Sequence, residues 1–368
     1  MCAPEKQTED SNSKSGSNDA ITNSKWVLKK RPDGLFCPDG DVELQTENVL
    51  LSSLDDDEKI VESTILSCDA FIRTMLDEEA YHGAVPIGGT MPAIGYGKVV
   101  AAGPQSKHKV GSIVAGMMGA QTHAKMQSSA AFKAMKLPFM TMTDSLGLMG
   151  ITTGLTAYTG MFYVCNRPKK GETVVVTGAA GAVGSIAAQL AKSTGARVIG
   201  IAGGHTKNLY LLDELSLDGA ICYKRTDKSL EDQLDEICPN GIDFIYDNVG
   251  GSILDTLLAK INPGCRVVIC GAISQYSGNL NKGKVQGPSN YLKLAEQGAQ
   301  MKGFNVMQYM YKIPLAMIGM FYLYMRGKVK MTEHVERGIQ SFPHALNKMF
   351  TGGHIGKMLV DVTATGAS

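Results

Sequence analysis

Gly178, Gly181 and Gly184 recur at three-residue spacing directly after the β-branched run Thr173–Thr177. The chemistry such a turn can do is anion binding. Without Cβ atoms the backbone approaches a pyrophosphate closely, and the N–H groups of a following helix point at it with the helix dipole behind them. A glycine triplet alone carries little weight, because many tight turns use glycine for φ alone. Its setting is what raises it. Val183, Ile186, Ala187, Leu190 and Ala191 make one apolar stripe at period 3.6, Gly195 stands where that helix must stop, and Ala196–Ala202 reads as a second strand. A βαβ unit with a glycine-rich first turn is the context of dinucleotide binding.

The end of the second strand bears on which dinucleotide. An NAD site places Asp or Glu there to accept from the ribose 2′-OH. Here the residues are Gly203-Gly204-His205-Thr206-Lys207, with no acid. Lys207 falls in the first turn of a helix, where a cation opposes the dipole and a bound phosphate would relieve the conflict. The plainer alternative is a solvated lysine. Cys68 alone cannot make a tetrahedral metal site and reads as a packed thiol.

The elements that must position these groups follow from the rest of the chain. With 368 residues there is length for about two domains. The formal net charge of +1 gives no reason to expect nucleic acid or an acidic membrane surface as partner. Eight scattered cysteines without a CxxC pair suggest free thiols, and the apolar stretch Ile313–Met325 is too short to span a bilayer. Residues 1–24 are polar, carry no signal-like segment, and read as a disordered tail. A cytoplasmic protein is the expectation. Strands are expected at Lys25–Lys30, Val42–Gln45, Ile60–Cys68, Tyr96–Ala102 and 110–116, the spacing of a β-barrel-like domain. Asp144–Tyr163 has a helical pattern. Beyond Ala202, strands at Ala220–Tyr223, Ile242–Asp247, Arg266–Cys270 and Gly303–Met307 alternate with helices. Ser229 with Asp232 resembles a capping box, and His205 or Thr206 is placed to cap the helix carrying Leu209. Six such strands predict a doubly wound parallel sheet. Lys328–Met331 and Lys357–Val362 are further strand candidates outside that alternation.

Five segments together carry a resemblance: Gly154-Leu155-Thr156-Ala157-Tyr158, Ala179-Ala180-Gly181-Ala182-Val183-Gly184, Asp247-Asn248-Val249-Gly250-Gly251, Cys270-Gly271-Ala272-Ile273-Ser274-Gln275-Tyr276 and Gly356-Lys357. Over residues 25–363 the chain resembles the medium-chain dehydrogenase/reductase superfamily. Within it, the chain is similar to the zinc-independent, NADPH-dependent alkenal/one double-bond reductases, the group that includes prostaglandin reductases. The resemblance implies an α/β fold in which a Rossmann doubly wound parallel sheet (151–307) is inserted in a GroES-like β-barrel domain (25–150 and 308–368). It also implies a homodimer formed through the Rossmann domains.

The cofactor-binding set so implied is Gly178, Ala180, Gly181, Ala182, Val183, Gly184, Gly203, Lys207, Tyr223, Asn248, Cys270, Gly271, Ala272, Ile273, Ser274, Tyr276, Phe304, Val306 and His354. Lys207 and Tyr223 would contact the 2′-phosphate of NADP. Zinc-dependent relatives keep a Gly-His-Glu stretch where this chain has 91–97, Met-Pro-Ala-Ile-Gly-Tyr-Gly, so no metal is expected. Without a Lewis acid, hydride addition to an activated C=C bond fits the available groups, and the enolate charge that develops needs a donor aimed at it. Tyr276 is the candidate catalytic donor, though it also reads as a rim residue. The family's Asp-Pro-Tyr-Met-Arg is Asp69-Ala70-Phe71-Ile72-Arg73 here, which makes Phe71 and Arg73 the expected substrate-binding residues and removes a hydroxyl. The family's Gly-x-Asn-x-Gly-Lys is Gly352–Lys357, so His354 either bonds the cofactor or faces solvent. The expected activity is NADPH-dependent reduction of α,β-unsaturated aldehydes and ketones, 15-oxo-prostaglandins among them. An NADPH quinone oxidoreductase and a non-catalytic NADPH-binding protein are the alternatives.

Overall fold

The computed structural model describes residues 19–364 except 81, 135, 136, 278–284 and 286. Residues 1–18 of the expected tail, and most of the loop 277–290, lie outside the described residues. The chain opens with β1 (Ala20–Leu28) and β2 (Val42–Leu50), an antiparallel pair. β1 therefore starts five residues before the expected position, within the expected tail. Then come β3 (Glu58–Ser67), β4 (Ile94–Ala102), β5 (Ile113–Met117), β6 (His123–Gln127) and β7 (Ala131–Lys133). Among these strands β3 is antiparallel to both β4 and β6, and it curls across two register shifts against β4. β6 and β7 are short, at five and three residues, and were not expected from the sequence.

The parallel sheet holds β8 (Thr173–Thr177), β9 (Arg197–Ala202), β10 (Gly219–Cys222), β11 (Ile242–Asp247), β12 (Ile261–Ile269) and β13 (Gln300–Gly303). Their order in space is β10-β9-β8-β11-β12-β13. The order reverses between β8 and β11, so a crevice opens beyond the strand C-termini there. Both faces are covered: Val174 and Val176 of β8 enter one core with Ile186 and Leu190, while Val175 enters another with Leu254 and Leu257. That is why β8 reads as a continuous apolar run.

Four local expectations change. The sixth strand ends at Gly303, because the Asn305 side chain accepts from the Met307 N–H and starts a 3-10 turn at Val306–Lys312. The Leu209 helix is entered through Gly204 at φ 110°, with no side-chain cap from His205 or Thr206. The 144–163 helix is broken into Met142–Gly147 and Gly154–Thr159, the latter running into a π turn at Gly160–Val164. Lys328–Met331 is not a strand: the buried Gln189 amide takes both polar groups of the Lys330 backbone at 2.9 Å, doing what a neighbouring strand would do.

The C-terminal segment returns to the barrel. β14 (Glu333–Arg337) pairs with β15 (Lys357–Asp361), and β15 lies antiparallel to β3. An additional helix, Phe342–Thr351, buries Phe342, Ala345 and Leu346 in the barrel core. The helix Ile313–Met325, assigned from sequence to the barrel piece, packs instead on the sheet side through Ala316 and Met320.

Candidate functional site

A cleft of about 830 Å³ lies between the C-terminal ends of the sheet strands and the barrel. Its floor is the glycine turn. Gly184 is fixed by sterics, since a Cβ there would sit 2.2 Å from the Gly178 carbonyl oxygen. Gly181 differs: its Cβ would meet only that oxygen, at 3.3 Å, so the space above it is an open cradle in front of the helix Ala182–Ser193. This fits a pyrophosphate. The neighbouring Asp247 is buried and accepts from the Thr177 hydroxyl (2.6 Å) and the Gly250 N–H (2.9 Å), which ties the Asp247–Gly251 turn to β8. Asn248 donates to the Thr177 carbonyl at 2.7 Å.

At one end of the cleft, Lys207 is half-buried and Tyr223 packs over Gly203, whose Cβ would collide with the ring at 2.8 Å. Burial first, and then the Lys224 ammonium, push the Lys207 pKa down. The two lysines converge, each Nζ lying 3.7 Å from where a Gly352 Cβ would be. No carboxylate among the described residues pairs with Lys207. His354 also lines this end, its Nδ1 3.3 Å from the Lys348 carbonyl oxygen, and burial followed by Lys207 brings its pKa to about 4. It is a neutral ring in the cleft wall.

At the other end, Phe71 forms an aromatic wall, edge-on to His82 with ring centroids 5.5 Å apart. Tyr276 faces the same cavity, and the Ala272 N–H donates to its hydroxyl at 3.2 Å. Cys270 lines the cleft with its thiol pushed up to about 12 by burial. Cys68, also in the cleft lining, is fully buried, and its thiol is likewise driven upward.

Most of the expected set meets here: Gly178, Ala180–Gly184, Gly203, Lys207, Tyr223, Asn248, Cys270, Gly271, Ile273, Ser274, Tyr276, His354 and Phe71 all line the cleft. Four residues do not. Arg73 is 1% exposed, donates to Asp77 at 3.0 Å and to the Gly34 carbonyl at 2.6 Å, and so is a structural ion-pair partner inside the barrel. Phe304 packs into the sheet-side core against Tyr309, and Val306 packs near Leu155. Ala272 contributes only its N–H to Tyr276. Sequence reasoning missed Asp69, Lys357, Thr153, Met349 and Phe350 as lining residues. Two of them had stood in motifs, Asp69 in Asp69–Arg73 and Lys357 in Gly356-Lys357, but without a role. Among the described residues, no group of three or more His, Cys, Asp or Glu side chains could hold a metal ion.

Comparison with known proteins agrees with this architecture. Residues 182–317 match the zinc-binding dehydrogenase family, and residues 24–134 match the family described as the N-terminal domain of oxidoreductase. The chain is 32% identical over 346 residues to the NADP(+)-dependent 2-alkenal reductase of Nicotiana tabacum, covering 93% of this chain and 98% of that one. It is 35% identical over 344 residues to prostaglandin reductase 1 of Mus musculus, covering 91% and 98%. The solved structure of CurA in complex with NADPH from Vibrio vulnificus superposes with a TM-score of 0.84 at 30% identity, covering 93% of this chain and all of that one.

Proposed function

The chain belongs to the NADPH-dependent alkenal/enone reductase family of the medium-chain dehydrogenase/reductase superfamily, and from that premise we propose that it reduces the C=C bond of α,β-unsaturated aldehydes and ketones. The observation that supports this reading is that one cleft joins an open glycine cradle and Lys207 at one end to Phe71 and Tyr276 at the other. NADPH, when bound, supplies the hydride that adds to the substrate β-carbon. The protein's part is to hold and to stabilise. Gly178–Gly184 hold the pyrophosphate, and Lys207 with Tyr223 hold the 2′-phosphate. Phe71 and the apolar wall exclude water from the reacting bond. As charge moves onto the carbonyl oxygen, a donor already in place is worth more than water, because it need not reorganise. Tyr276 is that donor, its phenol oriented by the Ala272 N–H.

Two further properties belong to this reading. A homodimer through the sheet domains is supported by the exposed edge strand β13 and by the exposed apolar side chains Leu315, Ile318 and Tyr322 on the helix Ile313–Met325. A cytoplasmic location is supported by the described cysteines all being free thiols. No helix among the described residues is long and apolar enough to cross a membrane. The deciding experiment is NADPH consumption against alkenals, enones and quinones, with NMR identification of the reduced bond. Saturation of the substrate C=C bond is the expected product. Turnover with quinones alone would overturn the assignment, and so would NADPH binding without any turnover.

A further inference from the structure

Gly356-Lys357 is where the barrel hooks onto the glycine turn. The Gly356 N–H donates to the Ala180 carbonyl at 2.8 Å, and Gly356 bridges Gly181 in parallel. Gly356 sits at φ 74°, and a Cβ there would strike the Thr332 carbonyl oxygen at 2.0 Å, so no other residue fits. That hook places Lys357 beside the cofactor cradle. Its side chain is 2% exposed and its Nζ lies 2.7 Å from Asp69 Oδ1, while Ser67 donates to the other Asp69 oxygen. Both Lys357 and Asp69 line the cleft.

An ammonium carries three donors. One is used by Asp69, and no second acceptor for Lys357 exists among the described residues. A buried cation with unspent N–H groups is costly until an acceptor arrives. Resting on the NADPH-dependent reading above, we propose that Lys357 is a further functional residue, donating to an anionic oxygen of the bound reactants. Asp69 and Ser67 act as its positioning residues. Two oxygens have that chemistry: a pyrophosphate oxygen of the cofactor, and the substrate carbonyl oxygen as it becomes an enolate.

The bland alternative is that the pair merely clamps β15 to the end of β3. A double variant separates the two. Asp69→Asn with Lys357→Met removes both charges together, and replacing a whole buried pair costs far less than orphaning one partner. We expect this variant to keep its melting temperature within a few degrees and still to be impaired roughly tenfold or more. The impairment appears either in the NADPH dissociation constant, read by fluorescence titration without turnover, or in kcat at saturating NADPH. The first locates the oxygen on the cofactor and the second on the enolate. If the double variant matches the parent in both quantities, the pair is structural and the proposal is overturned. Should the double variant not fold, Asp69→Asn alone retains the ammonium without its anchor. Unchanged binding and kcat in that variant would equally overturn the proposal. NADPH binding at parental strength with no turnover on any substrate by the parent enzyme would sink the proposed function, not this one, because the titration arm does not depend on catalysis.

Discussion

The two ends of the cleft are built on different principles. The cofactor end is mostly backbone: glycines that leave room, N–H groups at a helix start, and a half-buried lysine with no carboxylate partner among the described residues. The rest of the cleft is assembled from side chains brought together by tertiary structure, with Asp69 and Lys357 separated by 288 positions and Tyr276 supplied by a third segment. Backbone demands leave a short, ordered trace in the sequence. Converging side chains leave none, and Arg73 illustrates the hazard, since it neighbours Phe71 in the chain yet points into the barrel.

The sharpest way to break that contrast is at Arg73. Arg73→Leu orphans the buried Asp77 and should cost about 3–5 kcal/mol in stability, read from the denaturant midpoint, with KM of the folded fraction unchanged. A raised KM without lost stability would return Arg73 to the cleft. Next, Tyr276→Phe should lower kcat by about 10²–10³ while leaving NADPH binding at its parental strength. A parallel loss of NADPH affinity would make Tyr276 a cofactor-packing residue. At the opposite end, Lys207→Ala should weaken NADPH roughly tenfold to a hundredfold and NADH hardly at all. Tyr223→Phe should act in the same direction but less, as it removes a hydroxyl and no charge. Equal losses for both cofactors would mean that Lys207 supports the loop.

The smallest effect concerns pH. His354 is held near a pKa of about 4 by burial, against roughly 6.5 when unfolded. Between those values the unfolded chain binds the extra proton, so this group's stabilisation is complete above about pH 6.5 and is lost as pH falls toward 4. Melting temperatures across that window should fall less steeply for His354→Asn than for the parent. Parallel curves would show that His354 titrates normally.

The legible parts of the fold were those under local constraint. β8 and β11 coincide with their expected ranges, Gly195 stands just past its helix at φ 83°, and Ser229 does cap the helix Leu230–Ile237. What escaped was set by distant partners. The expected strand at Lys328–Met331 is replaced by contacts to Gln189, which is 141 residues away, whereas the helix Phe342–Thr351 was missed although Pro343 stands in its first turn and Gly352 just past its end. Ile313–Met325 is apolar almost all round, so its sequence could not say which core would claim it. At the site, the missing acid after β9 was readable because electrostatics there is local. The cation at position 357 was visible as a motif and opaque as chemistry, because its meaning depends on Asp69 across the chain.

The return of β15 to β3 has a consequence for how the protein comes into being. The edge of β3 is made early and its partner almost last, and the Trp26 indole likewise waits for the Ile339 carbonyl, 313 positions later. At synthesis rates of about 5–20 residues per second, the 288 residues between Asp69 and Lys357 take roughly 15–60 s to emerge. Once Gly303 has emerged, all six strands of the parallel sheet are present, while the barrel still has an open seam where β15 will pair and Asp69 still lacks its lysine. The parallel sheet therefore has its full set of strands before the barrel that precedes it in the chain has all of its own.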